Sequence, residues 1–336
     1  MVSKENNGMT ITILGCGISG LSCGVKLQDA GFSGIRILSR TLPPHTTSDV
    51  AGGLWFPYKA EPIHRILGWS KVTFQEMMRL RGVSDAGITM TRFFQLLPHE
   101  ASGDAWWSSA VEVYRPLTES DILSEFPHLP KGQFTSGFYA EVPIAEPHKH
   151  LPYLMKRFQE RGGRIEVGEI ERFEDIAGSN RLIVNCTGLE AKKLVGDAAL
   201  FPIRGQIIVA KNTGISRSIT IESASEHSEY ATYTIARSED VIMGGVAMTG
   251  NWETSIDEAT VSGIIARCAH VEPELSAPII LQHKAGLRPG RTEIRLEMEY
   301  LSASCAVIHN YGHGGSGYTV NWGCAEEVAA LAQTLM

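Results

Sequence analysis

Ile11-Thr12-Ile13-Leu14-Gly15-Cys16-Gly17-Ile18-Ser19-Gly20 joins a short β-branched run to a glycine turn and the start of a helix. Thr10 to Leu14 reads as a strand, and Ile18, Leu21, Val25 and Leu27 follow at spacings that mostly suit a helix. Gly31 and Gly34 end that helix, and Ile35 to Leu38 reads as a second strand. This is the opening half of a dinucleotide fold, in which a phosphate sits on the helix N-terminus, where unpaired amides and the dipole favour anions. Gly15-x-Gly17-x-x-Gly20 does not say which dinucleotide. A ribose-reading Asp or Glu is expected roughly 20 residues on, yet the chain has Ser39-Arg40 there. Arginine at that place accommodates an NADP 2′-phosphate, so an NADP-dependent reductase and a noncatalytic dinucleotide-binding sensor are both readings of this unit.

Further along, Leu151, Leu154, Met155 and Phe158 mark an amphipathic helix stopped by Gly162-Gly163, followed by a strand from Arg164 to Val167. Another strand, Leu182 to Asn185, ends in Asn185-Cys186-Thr187-Gly188, small and polar as the ligand-facing end of a sheet tends to be. Glu61 to Val142 and Pro202 to Gln282 are richer in aromatics and in alternating patterns such as Tyr233-Thr234-Ile235 and Val241-Ile242-Met243. They read as a second domain inserted into the first. A last helix, Cys324 to Leu335, carries Val328, Leu331 and Leu335 and is expected to pack back on the first unit. The expected class is α/β, a Rossmann-like domain with an inserted α+β domain that contains a large mixed or antiparallel sheet. Segments 1–58, 145–195 and 286–336 form the first, and 59–144 and 196–285 the second.

The 336 residues exceed the usual single core, and a net charge of -7 provides no basic field for nucleic acid or anionic lipid. Partners are expected to be small molecules or a second copy. Six cysteines, none in a C-x-x-C pair, argue against a zinc knuckle or a disulfide scaffold and point to a reducing compartment. His148 and His150 have no third ligand nearby, so no metal is expected. The first residues lack the apolar stretch of a secretory signal, and no run of about 18 apolar residues indicates a membrane span. Asn185-Cys186-Thr187 fits a glycosylation sequon but reads as accidental in a chain without an export signal.

His309-Asn310-Tyr311-Gly312-His313-Gly314-Gly315-Ser316-Gly317-Tyr318-Thr319 is a second place where backbone can approach a ligand closely. Thr46 to Tyr58, with hydroxyls, Gly52-Gly53 and Leu54-Trp55-Phe56, suits a loop along a broad planar ring. Together with Val184 to Gly188, Arg204-Gly205-Gln206 and Gly286-Leu287-Arg288-Pro289, these blocks resemble, over nearly the whole length, the FAD-dependent D-amino acid oxidase family that includes D-aspartate oxidase. The resemblance implies an extended FAD, with pyrophosphate at Gly15, Gly17, Ile18, Ser19 and Gly20, and adenosine near Ser39, Arg40 and Ile170. It places Thr47, Ser48, Gly52, Gly53 and Leu54 on one side of the flavin. Gly314, Gly315, Gly317, Tyr318 and Thr319 supply hydrogen bonds from the other, with Cys186, Thr187 and Gly188 also along the cofactor.

The resemblance also implies that Arg288, beside the flavin, grips the substrate α-carboxylate with its two-pronged guanidinium. Tyr233 joins it, and the carbonyl of Gly315 accepts from the amine. Hydride then passes from Cα to flavin N5. Oxygen reoxidises the flavin to give hydrogen peroxide, and the imino acid falls apart to a 2-oxo acid and ammonia. Because the flavin supplies the redox chemistry, His313, within the glycine run, is expected to order its loop. A second family tyrosine falls at Glu229, one position from Tyr230, on a variable lid from Ser223 to Thr232. D-aspartate-acting members carry an arginine after a Gly-Gly pair, where this chain has Gly244-Gly245-Val246-Ala247. With Leu54, Phe56 and Ile235 as further liners, the expected substrates are neutral and apolar D-amino acids. D-aspartate or D-glutamate is the alternative, and Glu222, Glu226 and Glu229 leave basic substrates open, as the family leaves a homodimer open. The expected location is intracellular: peroxisomal for a eukaryotic member whose C-terminal signal was removed, otherwise cytoplasmic.

Overall fold

The computed structural model describes residues 10–58, 60–221 and 229–336. The chain begins with β1 (Ile11–Leu14), α1 (Ile18–Asp29), β2 (Ile35–Ser39), α2 (Ile63–Leu80), β3 (Ile88–Leu97), β4 (Tyr114–Thr118), α3 (Glu119–Glu125) and β5 (Ser136–Ala145). Next come α4 (Pro147–Glu160), β6 (Arg164–Val167), α5 (Glu174–Ala177), β7 (Leu182–Asn185), α6 (Ala191–Leu194) and β8 (Phe201–Lys211). It ends with β9 (Arg217–Ile221), β10 (Tyr230–Ala236), β11 (Asp240–Val246), β12 (Met248–Thr249), α7 (Glu258–Val271), β13 (Ile280–Gly290), β14 (Arg295–Ser302), β15 (Cys305–Tyr311) and α8 (Gly317–Gln333).

One sheet runs β14-β15-β7-β1-β2-β6, parallel throughout except for the antiparallel edge pair β14–β15. Its central strands β1, β7 and β15 are buried along their whole length, as parallel strands covered on both faces require. α1 packs between α4 and α8. Gly24 permits the close approach of α4, since a Cβ there would lie 2.8 Å from the Phe158 ring. The chain leaves β1 toward β2 on one side, while β7 joins on the other, so the carboxyl ends of these strands frame a crevice.

The second sheet runs β12-β8-β11-β10-β9-β3-β5-β4, with β13 also on β8. It is antiparallel except where β3 meets β9, which makes it mixed, as expected. The segment after Gly53 ties β5 of the second sheet to α2, where Trp55 N–H donates to Pro143 O (2.9 Å) and Trp55 Nε1 to Ser70 O (2.9 Å). Trp55 then packs edge-on to Phe74 and Trp107.

Two boundaries differ from expectation. The last helix starts at Gly317 rather than Cys324, because its glycines serve packing: a Cβ on Gly323 would lie 2.3 Å from Trp69 Cα of α2. The expected division at 285/286 falls inside β13, which stays paired to β8 as far as Gly290 opposite Phe201. None of the described helices is long and apolar enough to cross a membrane.

Candidate active site

A cavity of about 1470 Å³ runs from the turn after β1 to the middle of the second sheet. At its first end, Gly15 has φ +100°, and a Cβ there would lie 2.5 Å from Cys186 O. Gly17 caps α1 without any side-chain bond, and the first turn of α1 carries no acid. Ile18 N–H donates to Ser48 Oγ (3.0 Å), and a helix start with no acid in its first turn attracts an anion. Gly17, Ile18, Ser19, Ile170, Cys186, Thr187 and Gly188 line this end. Gly20 does not. A Cβ on it would lie 2.0 Å from Gly15 O, so Gly20 lets the helix seat on the turn. Burial pushes the Cys16 thiol up to about 12, consistent with a neutral packing group.

The residues after β2 are also committed. Ser39 Oγ accepts from Cys16 N–H (3.1 Å) and donates to Thr41 O (2.7 Å). Arg40 lines the cavity with its guanidinium on Glu190 (2.7 Å). A carboxylate beside Arg40 disfavours a 2′-phosphate there, against the NADP reading.

Midway, Asp49 Oδ2 accepts from Thr46 N–H (2.9 Å) and Oγ1 (2.7 Å), which shapes the short turn holding Thr47 and Ser48. Gly53 has φ +80°, and a Cβ on it would lie 1.9 Å from Ala145 O. The start of α8 braces this segment. Tyr318 Oη donates to Ser48 O (3.1 Å), and Ser316 Oγ accepts from Tyr58 N–H (2.7 Å) while donating to Tyr58 O (2.8 Å). Thr319 Oγ1 does the same for Phe56, at 3.1 and 2.9 Å. Thr319 is therefore buried, its hydroxyl committed to Phe56. Thr47, Ser48, Gly52, Gly53, Leu54, Gly314, Gly315, Gly317 and Tyr318 do line the cavity.

At the far end, glycines clear the floor for two long side chains. Tyr233 lies over Gly244, whose Cβ would be 2.0 Å from Tyr233 Cζ, and Arg288 lies over Gly205, whose Cβ would be 2.7 Å from Nη1. Arg288 Nη1 donates to Val246 O (3.2 Å), fixing the guanidinium on β11. Burial raises the Tyr233 phenol above its ordinary range, opposed by Arg288. Tyr58 shows the same pair of influences, and its ring fills the space beside Gly315, 2.6 Å from where a Cβ would stand. Arg288, Tyr233, Gly315 and Tyr58 thus form one cluster, and sequence reading missed the last. Its signal was available: Tyr58 closes the same Thr46 to Tyr58 block that was quoted for the ring.

Leu54, Phe56 and Ile235 line the cavity here. Tyr230 stands at the mouth, largely exposed, with the Arg267 guanidinium 4.9 Å from its ring centre. Gln95, Trp107, Phe138 and Thr220 also line this end and were not expected. Gln95, Thr220 and Tyr233 share one rung across β3, β9 and β10, a juxtaposition set by pairing between distant segments. Ala247 is buried with its N–H on Glu229 O (2.8 Å), and its short side chain lies outside the cavity lining, so it offers a substrate no charge. The cavity's own lining decides instead: among the described residues its arginines and lysines are Arg40 and Lys193, at the β2 and β7 end, and Arg288. Glu222 and Glu226 lie outside the described residues. His313 Nε2 pairs with Asn310 Oδ1 (2.9 Å), and burial lowers its imidazole to about 4, so it is a neutral ring ordering its loop.

Residues 10–331 match the FAD dependent oxidoreductase family. The chain is 41% identical over 320 residues to a D-amino-acid oxidase of Rubrobacter xylanophilus, covering 95% of this chain and 94% of the relative. It is 32% identical to a human D-aspartate oxidase, covering 96% and 94%. Its fold resembles the crystal structure of glycine oxidase from Geobacillus kaustophilus, with TM-score 0.80 at 16% identity over 97% and 95% of the two chains. The residues present fit FAD: a helix start with no acid in its first turn for the pyrophosphate, glycines at Gly15 and Gly53 where a side chain would collide, and a cavity larger than the roughly 300–1,000 Å³ of common small-ligand sites. With the match extending over nearly all of its length, the chain belongs to the family of FAD-dependent oxidoreductases.

Proposed function

We propose that this protein oxidatively deaminates neutral, chiefly apolar D-amino acids to 2-oxo acids, with release of ammonia and hydrogen peroxide. The observation that carries the reading is Arg288, laid across Gly205 and flanked by Tyr233 and Tyr58. The D-amino-acid oxidase name of the 41% identical relative supports it. FAD, when bound, supplies two-electron acceptance from the substrate Cα–H and passes the electrons to oxygen.

The protein's task is then to bind and orient. Arg288 holds the α-carboxylate through two charge-assisted bonds, and Tyr233 adds a third from a phenol kept protonated by burial. The carbonyl of Gly315 accepts from the substrate amine. Leu54, Phe56 and Ile235 take the side chain. With the carboxylate and amine both fixed, Cα is presented in one pose, and positioning of this kind supplies much of the rate. No described arginine or lysine other than Arg288 lines the substrate end, so an acidic side chain finds no second partner, and D-aspartate and D-glutamate are expected to turn over slowly.

The cofactor is assigned to Gly15, Gly17, Ile18, Ser19, Ser39, Arg40, Thr47, Ser48, Gly52, Gly53, Leu54, Ile170, Cys186, Thr187, Gly188, Gly314, Gly315, Gly317 and Tyr318, with Arg288 beside the flavin. The proposed division remains 1–58, 145–195 and 286–336 for the cofactor domain and 59–144 and 196–285 for the substrate domain, with β13 held on the second sheet as far as Gly290. Peroxide release tests the reading. D-alanine and D-methionine should produce it and their L forms should not; equal rates on both enantiomers would refute it.

A further inference from the structure

Three strands of the first sheet carry a hydrogen-bonded line from the surface to the cavity. Glu299 on β14 contacts His309 on β15 (Oε1 to Nε2, 2.8 Å), and His309 Nδ1 lies 3.2 Å from Asn185 Nδ2 on β7. Asn185 Oδ1 accepts from Thr187 N–H (3.2 Å) and from Thr187 Oγ1 (2.7 Å). His309 and Asn185 are wholly buried and face each other in register at the carboxyl ends of their strands.

The donors and acceptors along this line have one solution. A backbone N–H can only donate, so the Asn185 atom facing Thr187 is oxygen and its NH₂ points at His309. Nδ1 must then hold a lone pair, and the ring proton sits on Nε2, directed at Glu299. A second proton on His309 would set N–H against NH₂. Asn185 could answer only by turning its amide, which would set NH₂ against Thr187 N–H. The held turn, Cys186 to Gly188, lines the cavity, and Cys186 O abuts Gly15.

We propose that His309, in its neutral Nε2–H form, is a positioning residue that holds the Asn185-to-Gly188 turn against FAD, and that its protonation weakens FAD binding. This rests on the cofactor placement proposed above. The groups that face the ring are Glu299, Glu297 and Arg295 from β14, Asn185 from β7, the Tyr311 ring on its own strand, and Phe173 before α5. Burial lowers the imidazole and Glu299 opposes this. The sign follows: the FAD-bound state favours the neutral ring, so affinity is full at neutral pH and is lost as pH falls, by at most about tenfold per pH unit for one proton.

The experiment is the FAD dissociation constant of the full chain from pH 8 to pH 5, read by flavin fluorescence, with far-UV circular dichroism confirming the fold at each pH. The wild type should weaken on the acid side. H309N, which keeps an acceptor oxygen toward Asn185 without titrating, should bind within about threefold at pH 8 and lose the acid limb. E299Q removes the charge that favours the imidazolium and should move the limb to lower pH. A flat wild-type profile, or an acid limb that persists in H309N and stays in place in E299Q, overturns the inference. Should H309N fail to fold, E299Q decides alone. Absence of FAD binding at pH 8 would instead refute the cofactor placement.

Discussion

The two ends of the cavity are built from different materials. At the β1 end the surface is backbone and small side chains, held by glycines whose missing Cβ atoms would collide with carbonyl oxygens at 2.5 Å or less. At the second-sheet end, glycines lie underneath, and the chemistry is carried by the side chains that cross them, Arg288 and Tyr233. The difference teaches that identity matters in opposite senses. The first end fails when atoms are added, the second when functional groups are removed.

Arg288→Leu should show the largest effect. Two hydrogen bonds to a charged group, each about 1.5–3 kcal/mol, correspond to a loss of about 10²–10⁴ in kcat/KM for D-methionine. Flavin content should stay unchanged, and a loss of flavin together with activity would blur the two ends. Gly20→Ala should do the reverse. Its new methyl meets Gly15 O, so thermal unfolding and flavin absorbance should report about 1–3 kcal/mol of destabilisation and a poorly loaded protein. A normal melting temperature with full flavin would break the claim that the first end tolerates no added atom.

Tyr233→Phe removes one hydroxyl that donates to the charged carboxylate and should raise KM for D-alanine by about 10–150-fold, the equivalent of about 1.5–3 kcal/mol. Tyr58→Phe, a comparable deletion on the other side of Arg288, should fall in the lower part of that range. The smallest expected effect concerns pH. Burial raises the Tyr233 phenol, and the neutral phenol is the donor, so its contribution persists through the ordinary phenol range and is lost only above it. The ratio of wild-type to Tyr233→Phe kcat/KM should therefore stay constant from pH 7 to 10, and a ratio that falls within that window would show an ionising phenol.

Much of the first end was legible because its signals are local. A strand, a glycine turn and a helix follow one another within Ile11–Asp29, and each is encoded by neighbours in sequence. The strands Arg164–Val167 and Leu182–Asn185 were readable for the same reason. Gly20 and Thr319 were placed on the ligand by motif alone, and a motif does not tell that Gly20 also seats α1 on the turn or that Thr319 Oγ1 braces Phe56. Gln95 and Thr220 escaped because a wall residue on a strand is defined by its cross-strand partners. Thr220 meets Gln95 through the parallel β3–β9 pairing, more than a hundred residues apart in the chain.

By itself, then, the order of residues determined the dinucleotide unit, the presence of two glycine-rich stretches and the arginine that follows Gly286-Leu287, because each depends on backbone freedom or charge at consecutive positions. Only the tertiary structure decided which glycines face the cavity and which face a carbonyl, where Ala247 sits, and that His309 stands between Glu299 and Asn185. Those outcomes depend on contacts between segments far apart in the chain, and the hydrogen-bonding direction of a buried imidazole is set by the groups that surround it rather than by its neighbours in sequence.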